Sequence, residues 1–214
     1  AGLFGMFFLG SLYMERVLGY GPIEIGLAFL PVALLIGTLS LGFSARLNTR
    51  FGARATLIPG LLLIAAGLGL FARVPVDADY LRDLLPAMVL TGIGAGLSFP
   101  SLMTLAMSSA TESDSGLASG LVNTSLQVGG AIGLAVLATL STTRTGNLLA
   151  GGEPTASALT SGYRVAWIIG AGLVLTAVAV AVAILRPEAA AEPEVEAERG
   201  REREQAEPAY SEAA

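Results

Sequence analysis

The chain contains no cysteine and no histidine among its 214 residues, and all twelve of its basic residues are arginine. These gaps exclude a disulfide framework, a thiolate nucleophile, a histidine-based triad and a Cys/His zinc site. Without lysine there is no Schiff-base chemistry either. Charge is scarce as well: 14% of residues are charged, against about 25% in a typical soluble domain. What charge exists is unevenly placed. Residues 187–214 hold nine glutamates and three arginines, while the preceding 186 residues carry nine arginines against eight acids. The acidic isoelectric point of about 4.8 therefore belongs to the C-terminal segment and says nothing of an acidic or basic partner for the body.

Apolar side chains take the place of charge. They make up 53% of the residues, and mean hydropathy is +0.69. Charge-free runs cover 1–14, 25–45, 55–72, 84–111, 115–143 and 165–185. A bilayer core of about 30 Å needs roughly 20 apolar residues as a helix. Five runs meet that length, and the first meets it only if it continues to residue 18. None alternates as a strand would, and an open sheet could not satisfy its edges in lipid. The sequence thus predicts an all-α, polytopic transmembrane bundle of six helices at about 1–18, 23–45, 55–72, 84–108, 116–141 and 164–185. Residues 1–186 form the membrane domain, and 187–214 form a disordered acidic tail with little to bury.

The punctuation agrees with this division. Gly21-Pro22 opens the second helix and Pro86 the fourth, while Pro187 closes the sixth. Pro31, Pro59 and Pro100 fall inside runs and should kink them. Connections are expected at 48–54, 73–83 and 112–114, with a longer polar loop at 144–164. The 27 glycines suit helices whose backbones approach closely in lipid. The first residue, Ala1, already lies inside an apolar run, without an initiator Met or a basic leader. We read the chain as a fragment of a longer one. Counting arginines near the membrane leaves its orientation open, because the two sides are nearly equal.

The most informative stretch is Gly42-Phe-Ser-Ala-Arg46-Leu-Asn-Thr-Arg50-Phe-Gly52-Ala-Arg54. Three arginines at spacing four around a glycine suit a tight turn whose guanidiniums cap helix C-termini or pair with carboxylates. Simple topological anchoring is the plainer role for the same residues. This loop resembles the signature between the second and third helices of each half of major facilitator transporters. Two further segments extend the resemblance: Leu18-Gly-Tyr-Gly-Pro-Ile-Glu24-Ile-Gly26-Leu-Ala-Phe-Leu-Pro31 and Gly116-Leu-Ala-Ser-Gly120-Leu-Val-Asn123-Thr-Ser-Leu-Gln127-Val-Gly-Gly130-Ala-Ile-Gly133. Together they are similar to the C-terminal half of the fourteen-span drug:proton antiporters. The likeness covers residues 1 to about 186. Thr49 stands where the signature has an acid, which argues against a charge relay through this loop.

The resemblance implies half of a transporter, built as two inverted three-helix repeats, in the cell (plasma or inner) membrane with the arginine loop and tail in the cytoplasm. It implies proton-coupled, multidrug-type efflux of amphipathic, often cationic compounds. No cofactor is expected beyond the proton gradient. The expected partners are the lipid bilayer, the missing N-terminal half of the same chain and a small-molecule substrate, with no nucleic acid. A structural or assembly subunit is the alternative. A membrane-embedded enzyme fits less well, because the sequence offers no histidine and few clustered acids.

Several residues are candidates for such work. Asn123 and Gln127, with Thr124 beside them, share a face of the fifth helix and need a cavity or a helix as partner. Gly116 and Gly120, then Gly129 and Gly133, form small-xxx-small pairs expected to pack closely. Glu15 and Glu24 are the acids at or near membrane-embedded positions. Glu15, close to Tyr13, is a candidate for binding a proton or a cationic substrate, although it also neighbours Arg16 and could mark a helix end. Glu24 suits the first turn of its helix, where a carboxylate complements the dipole. Tyr13, Phe29 and Phe99 are candidate apolar walls for a drug-like ligand.

Overall fold

The computed structural model describes residues 1–108, 111 and 114–185, so the acidic tail expected at 187–214 lies outside the described residues. Every element among them is helical. The helices are α1 (Gly2–Arg16), α2 (Pro22–Phe51), α3 (Ala53–Phe71), α4 (Tyr80–Met107), α5 (Ser115–Ala150) and α6 (Thr155–Ile184). Helices α2 to α6 are long and apolar enough to cross a membrane. Helix α1 does not continue to residue 18 as expected. Its 15 residues span about 22 Å at 1.5 Å per residue. Left-handed Gly19, at φ +73°, turns the chain so that the Tyr20 N–H reaches back to the Met14 carbonyl at 2.9 Å, which closes off the helix end.

Three other boundaries differ from the sequence reading, each for a local reason. Helix α2 does not end near residue 45. It passes through a π-helical turn, Leu39–Phe43, and runs on to Phe51, so the arginine loop is mostly helix. The break is Gly52 alone, held at φ +85°, a conformation that glycine adopts without steric cost. Helix α4 begins before Pro86, at Tyr80, because Asp79 Oδ1 accepts the Arg82 N–H at 3.1 Å while Asp83 Oδ2 accepts the Asp79 N–H at 2.9 Å. The polar segment 144–164 is not a loop. Only Gly151 to Pro154 separate α5 from α6. Thr160 returns its hydroxyl to the Ala156 carbonyl and Thr145 donates across to the Ala158 carbonyl of α6, which removes the need for water. Tyr163 and Trp167 are buried, so the first turns of α6 belong to the core.

The packed pairs show an internal symmetry. Within the first triplet and its neighbour, α2 packs on α4, α3 packs on α4, and α2 meets α3 through its last turns, Ser44–Phe51. Exchanging the triplet α1–α3 for α4–α6 turns these into α5 with α1, α6 with α1, and α5 with α6, all of which are also in contact. The pair α3 and α6 maps onto itself and is likewise packed. This is the contact pattern of a repeated three-helix unit.

Glycine sets the closest of these approaches, although not at the positions the sequence suggested. Gly92 and Gly96 turn one side of α4 to α2, against Val32, Leu35 and Leu39. Gly94 turns the other side to α3. A Cβ there would lie 2.5 Å from the Gly60 carbonyl oxygen and 2.8 Å from the Ile64 amide nitrogen. On α5, Gly133 does pack, against Ala1, and its neighbour Gly130 packs on the Phe4 ring. Gly116, Gly120 and Gly129 meet nothing within 4 Å. Gly116 and Gly120 lie about 20 Å and more along α5 from Gly133, where α5 meets Ala1, so they pack on no helix among the described residues.

Two further features hold the helices in register. Ser40, Ser44 and Asn48 project from α2 at spacing four. The Ser40 and Ser44 hydroxyls donate to the Gly96 and Leu97 carbonyls, both at 3.3 Å, and the Asn48 side-chain oxygen accepts from Ser101 at 2.9 Å. Such interhelical bonds in lipid contribute about 0.6 kcal/mol each on average. At the other end, Trp167 packs on Phe71 at 5.3 Å and edge-on to Tyr13 at 5.8 Å between ring centroids. Those rings join α1, α3 and α6.

Candidate functional site

Four helices, α1, α2, α4 and α5, surround a cavity of about 520 Å³ whose lining includes Phe4, Phe7, Phe8, Ile36, Phe99 and Leu134. The phenylalanines are there by helical spacing. Phe4, Phe7 and Phe8 stand at i, i+3 and i+4 of α1, which places all three on one side. Phe99 enters from α4, and Phe29 of α2 braces Phe7 with ring centroids 5.1 Å apart. Phe4 is 48% exposed and Phe99 39% exposed. These rings thus form a surface and not a core. The candidate Phe99 is therefore placed in a cavity wall, with Phe29 just behind it. The sequence reading missed Phe4, Phe7 and Phe8, although their i, i+3, i+4 pattern was the available signal.

Tyr13 occupies a different place from the one expected. It is fully buried, its hydroxyl donates to the Pro75 carbonyl, and its ring packs against Tyr163 and Trp167. That corrects its assignment as a cavity wall. Tyr13 is an anchor between α1 and the α3–α4 connection. Glu15 is exposed in the last turn of α1, outside the phenylalanine cavity. Glu24 accepts the Gly21 N–H at 2.7 Å and completes the capping box that starts α2.

Asn123 and Gln127 are exposed on α5, and neither side chain is hydrogen-bonded among the described residues. Thr124 returns its hydroxyl to the Gly120 carbonyl at 2.8 Å. Gln127 precedes cavity-lining Leu134 by two helical turns, and Asn123 precedes it by three. All three share one stripe to within about 20°. The amides stand on the Leu134 stripe about 10 Å and more beyond it, towards the end of the bundle that carries the arginine loop. Polar side chains on a lipid-facing stripe would be costly.

The arginine loop divides into two parts. Arg54 donates from Nη2 to the Val182 carbonyl at 3.0 Å and so caps the C-terminal end of α6, as its charge favours. Arg46 and Arg50 are exposed, and Arg50 lies 5.4 Å from the Phe51 ring centroid. Gly42 has open space around it, so of the two loop glycines only Gly52 is required by backbone shape. The described residues contain no cluster of His, Cys, Asp and Glu suited to a metal ion.

Comparison with known proteins places the chain in a family. Across 184 residues the chain is 40% identical to the puromycin resistance protein of Streptomyces alboniger, covering 83% of this chain and 37% of that protein. It is 38% identical over 135 residues to the cephamycin export protein of Amycolatopsis lactamdurans, covering 63% of this chain and 28% of the relative. It is 33% identical over 146 residues to the tetracenomycin C resistance and export protein of Streptomyces glaucescens, covering 67% and 26%. The chain thus spans well under half the length of these curated relatives. A family model described as the Major Facilitator Superfamily matches residues 1–213, and the chain belongs to that superfamily as a multi-pass membrane protein.

Proposed function

We propose that this chain is one half of a drug-efflux transporter that moves amphipathic, cationic compounds out of the cell in exchange for protons. The observation that carries the reading is the four-phenylalanine cavity, which lies among α1, α2, α4 and α5. Apolar concave surfaces with a few polar groups at the rim are the usual form of small-molecule sites. The printed functions of the relatives, resistance to or export of puromycin, cephamycin and tetracenomycin C, support export of organic compounds. Asn123 and Gln127 supply the polar contacts.

The exposed faces of α2 and α5 support a second element of the proposal. Leu30 and Leu34 on α2, and Leu117, Leu121 and Ile132 on α5, are all exposed. We assign part of this surface to the remaining half of the same protein and part to the bilayer. With the arginine loop in the cytoplasm, the protein sits in the plasma or inner membrane with the C-terminal tail inside. Export needs no cofactor beyond the proton gradient, and the direct test is gradient-driven efflux itself.

Glu15 is assigned a proton or substrate-cation contact near the opposite end of α1, because it is a carboxylate outside the packed core and without an ion-pair partner among the described residues. In the full-length protein, Glu15→Gln is expected to slow coupled efflux about threefold or more at saturating substrate, with normal expression. Full coupled efflux in that variant removes Glu15 from the site.

A further inference from the structure

A second cavity, of about 410 Å³, opens between α2 and α4 at the end of the bundle opposite the arginine loop. Its lining is Tyr20 from the α1–α2 turn, Glu24, Leu27 and Ala28 from α2, and Tyr80 from the start of α4. It shares no residue with the phenylalanine cavity. At 100° per residue, Glu24 and Leu27 lie on the side of α2 away from Phe29, which faces α1.

The chemistry of this pocket is specific. Glu24 is held in place by its bond to the Gly21 N–H at 2.7 Å, through one oxygen only. No basic side chain pairs with it among the described residues. The Tyr80 hydroxyl donates to the Ala28 carbonyl at 2.8 Å, so its polar end is already bonded and the ring itself lines the space. Glu24 is exposed and shares the pocket lining with Tyr20 and Tyr80; a carboxylate attracts a cation by charge, and a tyrosine ring adds attraction through its face. The carboxylate repels anions. Leu27 offers an apolar surface for a chain attached to that cation.

We propose that this pocket binds an organic ammonium group carried on an amphipathic molecule. Such a group arrives either on a soluble cation or as the amine of a phospholipid headgroup. The site does not depend on the export reading, since it is separate from the phenylalanine cavity and binding alone reveals it.

The test is calorimetric titration of tetrabutylammonium into the full-length protein, in nanodiscs of phosphatidylglycerol with and without phosphatidylethanolamine. Binding is expected to weaken about tenfold in Glu24→Gln, whose amide keeps the Gly21 contact and the helix start, and about threefold in Tyr20→Leu. Phe99→Ala, in the other cavity, is expected to leave the component of binding that Glu24→Gln weakens unchanged. Weaker binding when phosphatidylethanolamine is present supports the site with a headgroup amine as resident. Equal binding in both lipids supports it with a soluble cation as ligand. Unaltered affinity in Glu24→Gln overturns the proposal, as does the absence of saturable binding in either lipid. Binding lost in Phe99→Ala and kept in Glu24→Gln also overturns it, while leaving the export reading intact.

Discussion

Gly94→Val is expected to leave little properly folded protein. Gly94 is where α4 comes closest to α3, and the atoms it would meet are the Gly60 carbonyl and the Ile64 amide. Both are backbone atoms, so no side chain can rotate away. The two helices would have to separate, and the separation would be felt at Gly67, which sits against Thr91 and the Ala87 carbonyl in the same interface. Overpacking a core commonly costs about 1–3 kcal/mol, and a clash with rigid helix backbone belongs at the upper end. Thermal unfolding of the detergent-solubilised protein, followed by size-exclusion recovery, should show a drop in melting temperature and a large loss of monodisperse material. Gly172→Val is the control. Its Cβ would meet nothing within 4 Å, and its stability is expected to match the parent. Equal stability of the two variants would show that the α3–α4 interface is looser than described.

Phe99→Ala is expected to raise the substrate concentration needed for half-maximal efflux by about tenfold, with near-normal yield of protein. Removing an aromatic side chain from an apolar binding wall forfeits about 1.5–3 kcal/mol of burial, and 1.4 kcal/mol corresponds to tenfold. The fold should tolerate the change, because Phe99 is 39% exposed and belongs to a surface. Phe99→Leu should recover most of the affinity if the wall is generic and apolar. An unchanged half-maximal concentration in Phe99→Ala would place the substrate elsewhere. The same substitution at Tyr13 has a different expectation. Tyr13 is buried and bonded to Pro75, so its loss should destabilise the protein and not alter substrate affinity alone.

The contrast between those two aromatics shows what one sequence reveals. Lipid fixes the length of an apolar run, so the number of helices could be counted from charge-free stretches. Neither side of a membrane helix is marked by polarity in the way a soluble helix is marked, so Tyr13 and Phe99 looked alike although one is core and the other is wall. The glycines were ambiguous for the same reason. Gly116 and Gly120 carry the same spacing as Gly92 and Gly96, but only the latter pair has a helix across from it. Helix ends were misplaced where local bonds replace water. Examples are the Asp79 and Asp83 cap of α4 and the bonds of Thr145 and Thr160 in the polar segment 144–164. The polar ladder of Ser40, Ser44 and Asn48 was missed, because spacing four takes on a meaning only with α4 standing opposite. Arg54 was the clearest case in which spacing and charge anticipated a contact, the cap on α6.

The central claim is gradient-driven export through a face built by α1, α2, α4 and α5. The most direct measurement is efflux of a fluorescent amphipathic cation by the full-length protein in energised membrane vesicles, with and without a proton uncoupler. The account predicts transport that stops when the gradient is collapsed and that weakens about tenfold in apparent affinity in Phe99→Ala. Transport that continues at the same rate after uncoupling would contradict it.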